Sequence, residues 1–409
     1  LTAPSIHRTS RPVLAAFFFL VAMPMGMWFV PLGNVLKAYG YGHLLSWVLA
    51  CSGIAAFVSP LIVGAIADQK LPPTRVLTAT SLGTSGALWL VCAAIEGHWG
   101  DTWVLAAAML VSLLFAPTWG ISTAIVLSQL QVPGKQFGPV RAFATLGWVA
   151  GAVVVSYALG ADDSVRSGRG AACFWLVVAT FSWLMPAVSP ADAQQRRSWV
   201  QVLGLDALTL LKNRDHRMVF ITAALYSAPL AAFYPYCVQH LRALGVHAAS
   251  AVMSLGQITE VLVMVLMAGL IAKFRLKWIF LSGIAFGVLR YVCFAQDTKA
   301  WVIVGIILHG LAYTLYFITT QIYLEDRIDP KWRVRAQALL TLLTAGVGNL
   351  SGYLGSGWWF AEVQHDGHAD WPLFWWVLAG VTGGVFVLFA TTYHGRKFGE
   401  FPPRESTGA

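Results

Sequence analysis

Residues 247–272 read HAASAVMSLGQITEVLVMVLMAGLIA, 26 positions with a single formally charged side chain, Glu260. About 20 consecutive apolar residues carry an α-helix across a bilayer. This run has that length, and its acid stands roughly a dozen residues from either end. Ionising a carboxylate there is costly, so acids inside a membrane are rare and mark ion or proton pathways.

The rest of the chain follows the same pattern. Of 409 residues, 57% are hydrophobic and 11% are charged, whereas soluble domains carry roughly 25% charged residues. The mean hydropathy is +0.67. Apolar runs recur at 12–36, 43–67, 74–95, 102–128, 138–160, 170–188, 217–240, 247–272, 277–295, 300–324, 333–361 and 371–394. In lipid each backbone group must be hydrogen-bonded internally, so open runs of this kind are helices. Lipid-facing strands would alternate polar and apolar residues, and these do not. The expected fold class is an all-α membrane protein with twelve transmembrane helices. No small-residue cleavage site follows the first apolar core, so that run reads as a retained span.

The connections are short except for one, from Ser189 to about His216. There Trp199, Val202, Leu203, Leu205, Leu208 and Leu211 can share one face of an amphipathic helix on the membrane surface. The expected organisation is a six-helix bundle over 1–188, a cytoplasmic linker over 189–216 and a second six-helix bundle over 217–409. With both termini cytoplasmic, 20 Lys and Arg fall on the cytoplasmic side and 5 on the outer side. This is the positive-inside asymmetry of a multi-pass protein. It also accounts for the net charge of +9 without a nucleic-acid partner.

The two halves echo each other. VRAFATLGW (140–148) and VRAQALLTL (334–342) open the fifth span of each half, and GAIADQKLPPTRVL (64–77) matches the place of GLIAKFRLKWIFL (269–281). Paired six-helix halves with a site between them are a transporter design. Enzymes fit poorly: there is no P-loop, no HExxH and no nucleophile paired with a base. Cys51, Cys92, Cys173, Cys237 and Cys293 lie in or beside apolar runs without metal-ligand spacing, and read as buried small hydrophobes. Gly64, Gly83 and Gly86 read as glycines that let helices approach closely.

These features resemble the major facilitator superfamily and, within it, the nucleoside:proton symporter family. Asp68, Lys70 and Arg75 resemble the superfamily's loop motif. RAFATLGW (141–148), MSLGQITE (253–260), VLRYVCFA (288–295) and GLAYTLYFITTQIYLEDRIDPKWRVRAQAL (310–339) resemble the family. The resemblance implies the major facilitator fold, with two pseudo-symmetric bundles, and a binding role for Arg141, Thr145, Trp148, Gln257 and Glu260. Two stretches depart from the family pattern. APLAAFYPY (228–236) has Pro229 and Ala232 where polar side chains are expected, and AYTLYF (312–317) has Thr314 in place of an acid.

The intramembrane polar residues supply the chemistry. A carboxyl that can hold a proton in a desolvated site can carry it between the two sides of a membrane. Gln257 is one turn before Glu260, so an amide and a carboxyl share a helix face that suits a sugar hydroxyl or a base edge. The alternative is a structural pair between Glu260 and an arginine. Arg141, Thr145 and Trp148, at spacings of four and three, line one stripe. Arg141 contacts solute, balances Glu260, holds a cytoplasmic gate or snorkels. Arg290 reads as a proton-coupling residue or half of a structural ion pair. His309, Tyr313, Tyr316 and Thr320 form a polar aromatic stripe, with Tyr313 and Tyr316 as substrate contacts. Phe29, Asn34, Tyr234 and Tyr236 are placed to close the outer side. Asp68, Lys70 and Arg75, and the set Glu325, Asp326, Arg327, Arg333 and Arg335, are placed to form a cytoplasmic gate.

The sequence therefore predicts a proton-coupled importer of a nucleoside or similar small polar solute. A sugar or other hydroxylated metabolite, and an uncoupled facilitator, are the alternatives. Protons are the coupling ion and no cofactor or metal is called for. The expected setting is a monomer in the lipid bilayer of a bacterial inner membrane.

Overall fold

The computed structural model describes residues 9–68, 71–131, 133–185, 198–365 and 368–395. In the first half the helices are α1 (Arg11–Phe29), α2 (Leu32–Ala38), α3 (Leu45–Asp68), α4 (Pro73–Glu96), α5 (Asp101–Gln129), α6 (Pro133–Val153) and α7 (Arg166–Leu184). A short α8 (Trp199–Val202) lies in the linker. The second half contains α9 (Arg214–Ala231), α10 (Phe233–Ala243), α11 (Ala249–Met253), α12 (Leu255–Lys273), α13 (Leu276–Phe294) and α14 (Lys299–Tyr313). It continues with α15 (Thr319–Arg327), α16 (Pro330–Thr341), α17 (Asn349–Glu362) and α18 (Trp371–Thr392). Among the described residues the β structure is one two-residue ladder, β1 (Gln364–His365) with β2 (His368–Ala369).

Eleven helical stretches among the described residues are long and apolar enough to cross a membrane. The run expected at 170–188 is helical as α7 up to Leu184, packed on α1 and α4, but Arg166 and Arg169 in its first turns lower its apolarity and keep it out of that set. Local chemistry sets several helix starts. The Asn213 side chain accepts from the backbone N–H groups of Asp215 and His216, and Asp370 accepts from that of Leu373. Asp329 caps α16 ahead of Pro330, whose missing N–H is no loss at that position.

Several spans are interrupted. The first breaks between α1 and α2 at Val30–Pro31, and the seventh between α9 and α10 at Ala232, three residues after Pro229. Proline removes a helix donor and crowds the preceding turn. Wider π turns occupy Val154–Ala158, Thr314–Ile318 and Leu342–Gly348.

Glycines set the closest approaches. An added Cβ at Gly147 would lie 2.1 Å from the Phe19 carbonyl oxygen, and at Gly151 2.2 Å from that of Met23. One at Gly26 would lie 2.2 Å from the Trp148 carbonyl oxygen. α1 and α6 thus touch backbone to backbone. Gly83 meets only the Leu114 side chain, at 3.2 Å, and Gly86 faces open space, so neither makes the close backbone packing expected of it. Cys173 is exposed, unlike the other four cysteines, because its position on α7 turns away from α1 and α4.

The halves meet from the middle of the molecule to the end remote from the linker. Gly53 abuts Leu350, Gly357 abuts Ser46, and Gly33 abuts the Pro235 carbonyl oxygen, each closer than 3.0 Å for an added Cβ. Asp162 Oδ1 accepts from the backbone N–H of Ser250 at 2.7 Å, Ser156 Oγ accepts from that of Ala251 at 3.0 Å, and Arg242 is ion-paired with Asp163. One apolar core runs through both halves, including Phe17, Trp28, Phe233, Tyr236 and Trp375. A second core, including Phe220, Phe280, Tyr316 and Phe389, belongs to the second half and the linker.

The linker differs from the single amphipathic helix expected. Gly204, at φ +70°, separates α8 from a 3-10 turn over Leu205–Lys212. An added Cβ at Gly204 would fall 2.4 Å from the Arg335 carbonyl oxygen, so the chain docks tightly on α16. Ala207 is buried while Leu208 is exposed. Asp206 and Arg335 are paired at 2.6 Å.

Candidate functional site

The stripe predicted on α6 faces α12 and α14 across the middle of the molecule. Arg141 is half-buried, with its guanidinium carbon 4.5 Å from the Trp119 ring centroid, a cation–π distance. Thr145 is buried one turn on. Trp148 stacks on Phe29 at 6.5 Å between centroids and meets Tyr234 of the second half at 5.6 Å. Its indole N–H is buried and has no partner.

Opposite, Gln257 Nε2 donates to the Tyr234 hydroxyl oxygen at 2.6 Å, and Gln257 Oε1 is buried without a donor. Glu260, one turn later, is half-buried. Arg141 and Glu260 act on each other electrostatically, and both act on Tyr313, without a direct ion pair. The structural Glu260–arginine lock weighed from sequence is therefore absent.

Glycine again fixes the position of the acid. An added Cβ at Gly310 would lie 2.3 Å from both the Glu260 nitrogen and Thr259 Oγ1, and one at Gly256 3.0 Å from the Ile306 carbonyl oxygen. α12 and α14 are thereby held in contact at the level of Glu260. Thr259 Oγ1 donates to the Ile307 carbonyl oxygen at 2.8 Å, and Thr314 Oγ1 to that of Glu260 at 3.4 Å. Thr314 braces the main chain beneath the acid.

The polar stripe expected on the tenth span is split. His309, Tyr313 and Phe317 follow one another in ring contact, at 5.9 and 5.2 Å. Tyr316 is fully buried among Tyr226, Phe280 and Phe389, with its hydroxyl donating to Thr222 Oγ1 at 2.7 Å. It is a core residue, not a substrate contact. The π turn at Thr314–Ile318 shifts the helical register, so spacings of four, three and four no longer lie on one face. Thr320 is fully buried and bonds back to the Tyr316 carbonyl oxygen.

Arg290 is fully buried and has no acid in contact among the described residues, so it is not half of an ion pair. Its Nη1 donates to His309 Nδ1 at 2.8 Å, and its guanidinium carbon lies 4.4 Å from the Tyr291 ring centroid and 5.1 Å from that of Phe233. The His309 ring stacks on Phe233 at 4.0 Å and meets Tyr234 edge-on at 5.9 Å. Arg290 and His309 thus form a platform beneath the first turn of α10.

The other expected contacts are partly met. Phe29 lies against Trp148, whereas Tyr236 packs inside the second half on Phe360 and Phe374. Asn34 is buried on α2, beside the contact of Gly33 with α10. Ala232 is buried, and the Pro229 carbonyl accepts from the Tyr291 hydroxyl at 2.5 Å, so both serve the break in the span.

Of the motif at the end of the second span, Lys70 lies outside the described residues. Asp68 ends α3, with its side chain likewise outside them. Arg75 sits 3.6 Å over the Trp183 ring and donates to the Trp183 carbonyl oxygen, within the first half. Glu325 pairs with Arg333 at 3.1 Å, within the second half. In this conformation neither Arg75 nor Glu325 bridges the halves.

Sequence reasoning missed the contacts made by Asp162 and Asp163. Their signal was two adjacent acids in a short loop, facing Arg242 at the end of a span in the other half.

A family model described as "Nucleoside H+ symporter" matches residues 12–397. The putative nucleoside transporter YegT of Escherichia coli (strain K12) is 30% identical over 358 residues, covering 83% of this chain and 82% of that protein. The nucleoside permease NupG of the same organism is 27% identical over 393 residues, covering 91% and 92%. The crystal structure of nucleoside transporter NupG superposes with a TM-score of 0.83 at 23% identity, covering 94% of this chain and 99% of that one.

Proposed function

This chain belongs to the nucleoside H+ symporter family, and we propose that it imports a nucleoside with a proton by alternating access, through the site between α6 and α12. It is a transporter and not an enzyme. The observation that carries the reading is the pairing of Glu260 and Gln257 on α12 with Arg141 and Trp148 on α6. An acid able to hold a proton there stands beside an unpartnered acceptor, Gln257 Oε1, and an unpartnered donor, Trp148 Nε1–H. A buried unpaired polar group costs about 1–3 kcal/mol, and the hydroxyls and base edge of a nucleoside supply both partners.

In this reading α7 is the sixth of twelve spans. Residues 1–188 and 217–409 are two pseudo-symmetric bundles joined by 189–216, in a bacterial inner membrane with both termini cytoplasmic. Repeated glycine contacts between the halves and the echo of VRAFATLGW in VRAQALLTL support it. The end remote from the linker is then the outer side. Contacts there join the halves, while Arg75, Glu325 and Arg333 keep to their own half, as in an inward-facing state. The protein acts as a monomer, with protons as coupling ion and no cofactor.

The test is thermal unfolding of the purified protein against nucleosides, free bases, sugars and small acids, followed by uptake in proteoliposomes. A ligand that binds the folded state stabilises it by mass action. Nucleosides are expected to stabilise and to accumulate when the interior is alkaline. Stabilisation by sugars alone, or uptake indifferent to the proton gradient, would overturn the assignment.

A further inference from the structure

The seventh span is built in two pieces. α9 ends at Ala231 and α10 begins at Phe233, with Pro229 leaving the preceding turn one donor short. α10 is the piece that seals the outer side. Its Pro235 carbonyl abuts Gly33, its Arg242 is paired with Asp163, and its Tyr234 ring lies against Trp148.

Tyr234 is also the residue of α10 that reaches the binding amide. Its hydroxyl oxygen accepts from Gln257 Nε2, and its ring rests edge-on against His309. One side chain on the gate helix therefore touches the fifth, eighth and tenth spans around the proposed site.

We propose that Tyr234 is a positioning residue that ties occupancy of the central site to closure of the outer gate. With the gate shut, its hydroxyl takes the Gln257 N–H and turns the amide so that Oε1 is presented to the solute. Withdrawal of α10 frees Nε2 as well, so the open site offers the solute a donor and an acceptor. Only interactions that differ between two states shift their balance, and this amide differs. The inference rests on the transporter reading above, but it concerns the gate of the ligand-free protein and does not depend on which solute is carried.

The test uses the full-length protein without ligand. Spin labels at exposed Lys37 on α2 and exposed His247 beyond α10 report the width of the outer side. Tyr234→Phe keeps the ring and removes the hydroxyl acceptor, and Gln257→Ala removes the donor. Each is expected to enlarge the wide population about fivefold, the ratio that one ordinary hydrogen bond supports. The double variant is expected to match the single variants, because both remove the same bond. Wild-type distances in Tyr234→Phe, or widening that adds in the double variant, would overturn the proposal. A sugar or other solute found in the uptake screen would overturn the nucleoside assignment and leave this result standing.

Discussion

Arg290 Nη1 donates to His309 Nδ1 across 2.8 Å, with both side chains sealed in the interior and no carboxylate among the described residues in contact with the arginine. A hydrogen bond to a charged group contributes about 1.5–3 kcal/mol. His309→Ala leaves the guanidinium buried without its acceptor and is expected to destabilise the protein by about that amount. Replacing both partners, as Arg290→Met with His309→Leu, is expected to cost less than His309→Ala alone, since no unpaired charge is left behind. Thermal unfolding in detergent checks the order.

The outer contacts between the halves are unequal. Asp163 and Arg242 are both partly exposed, and such pairs are worth about 0–1 kcal/mol. Asp162 is 4% exposed and accepts from the Ser250 N–H at the start of α11. Loss of an acceptor in such a place costs about 0.5–2 kcal/mol. Asp162→Ala is expected to speed maleimide labelling of a cysteine introduced at buried Val35 more than Asp163→Asn does. Equal effects would place the two acids on the same footing.

Arg141 distinguishes a chemical role from a positional one. Lysine snorkels as well as arginine, but it lacks the planar fork that stacks on Trp119 while facing a carboxylate. Arg141→Lys is expected to lower initial uptake by about tenfold, equivalent to about 1.4 kcal/mol in a barrier, with little change in melting temperature. Full activity in the lysine variant would reduce Arg141 to an anchor.

The glycines of α1 and α6 make a sharper prediction. Gly147→Leu must push α6 off the Phe19 carbonyl, and with it Arg141 and Trp148, so folded protein is expected to be lost. Gly86→Ala meets nothing within 4 Å and is expected to be neutral or to stabilise by up to about 1 kcal/mol, the helix propensity difference. Size-exclusion yield and melting temperature separate the two.

Most of the fold was legible because length and apolarity alone decide a membrane helix. Each predicted run contains helix among the described residues, and eleven helical stretches are long and apolar enough to span a membrane. The α6 stripe was legible too, because an unbroken helix keeps its periodicity. Tyr316 was misread because a π turn leaves no mark in composition, so the stripe from His309 continued on paper past the point where the helix changes register. The ion-pair reading of Arg290 failed because an intramembrane arginine is expected to find an acid, and its partner is an imidazole 19 residues along. The linker was read as one helix because its leucines are periodic, although Gly204 takes a left-handed conformation that only its packing on α16 reveals. Contacts between the halves, such as Asp162 with Ser250, join residues 88 positions apart, so the adjacent acids of that loop stand out in the sequence while their partners do not.

Glu260→Gln tests the central claim most directly, because it keeps the shape and polarity of the side chain and removes its capacity to carry a proton. In proteoliposomes the account predicts that the variant still exchanges labelled for unlabelled solute across the membrane, yet no longer concentrates it when the interior is made alkaline. Accumulation by Glu260→Gln to the wild-type level under the same gradient would contradict it.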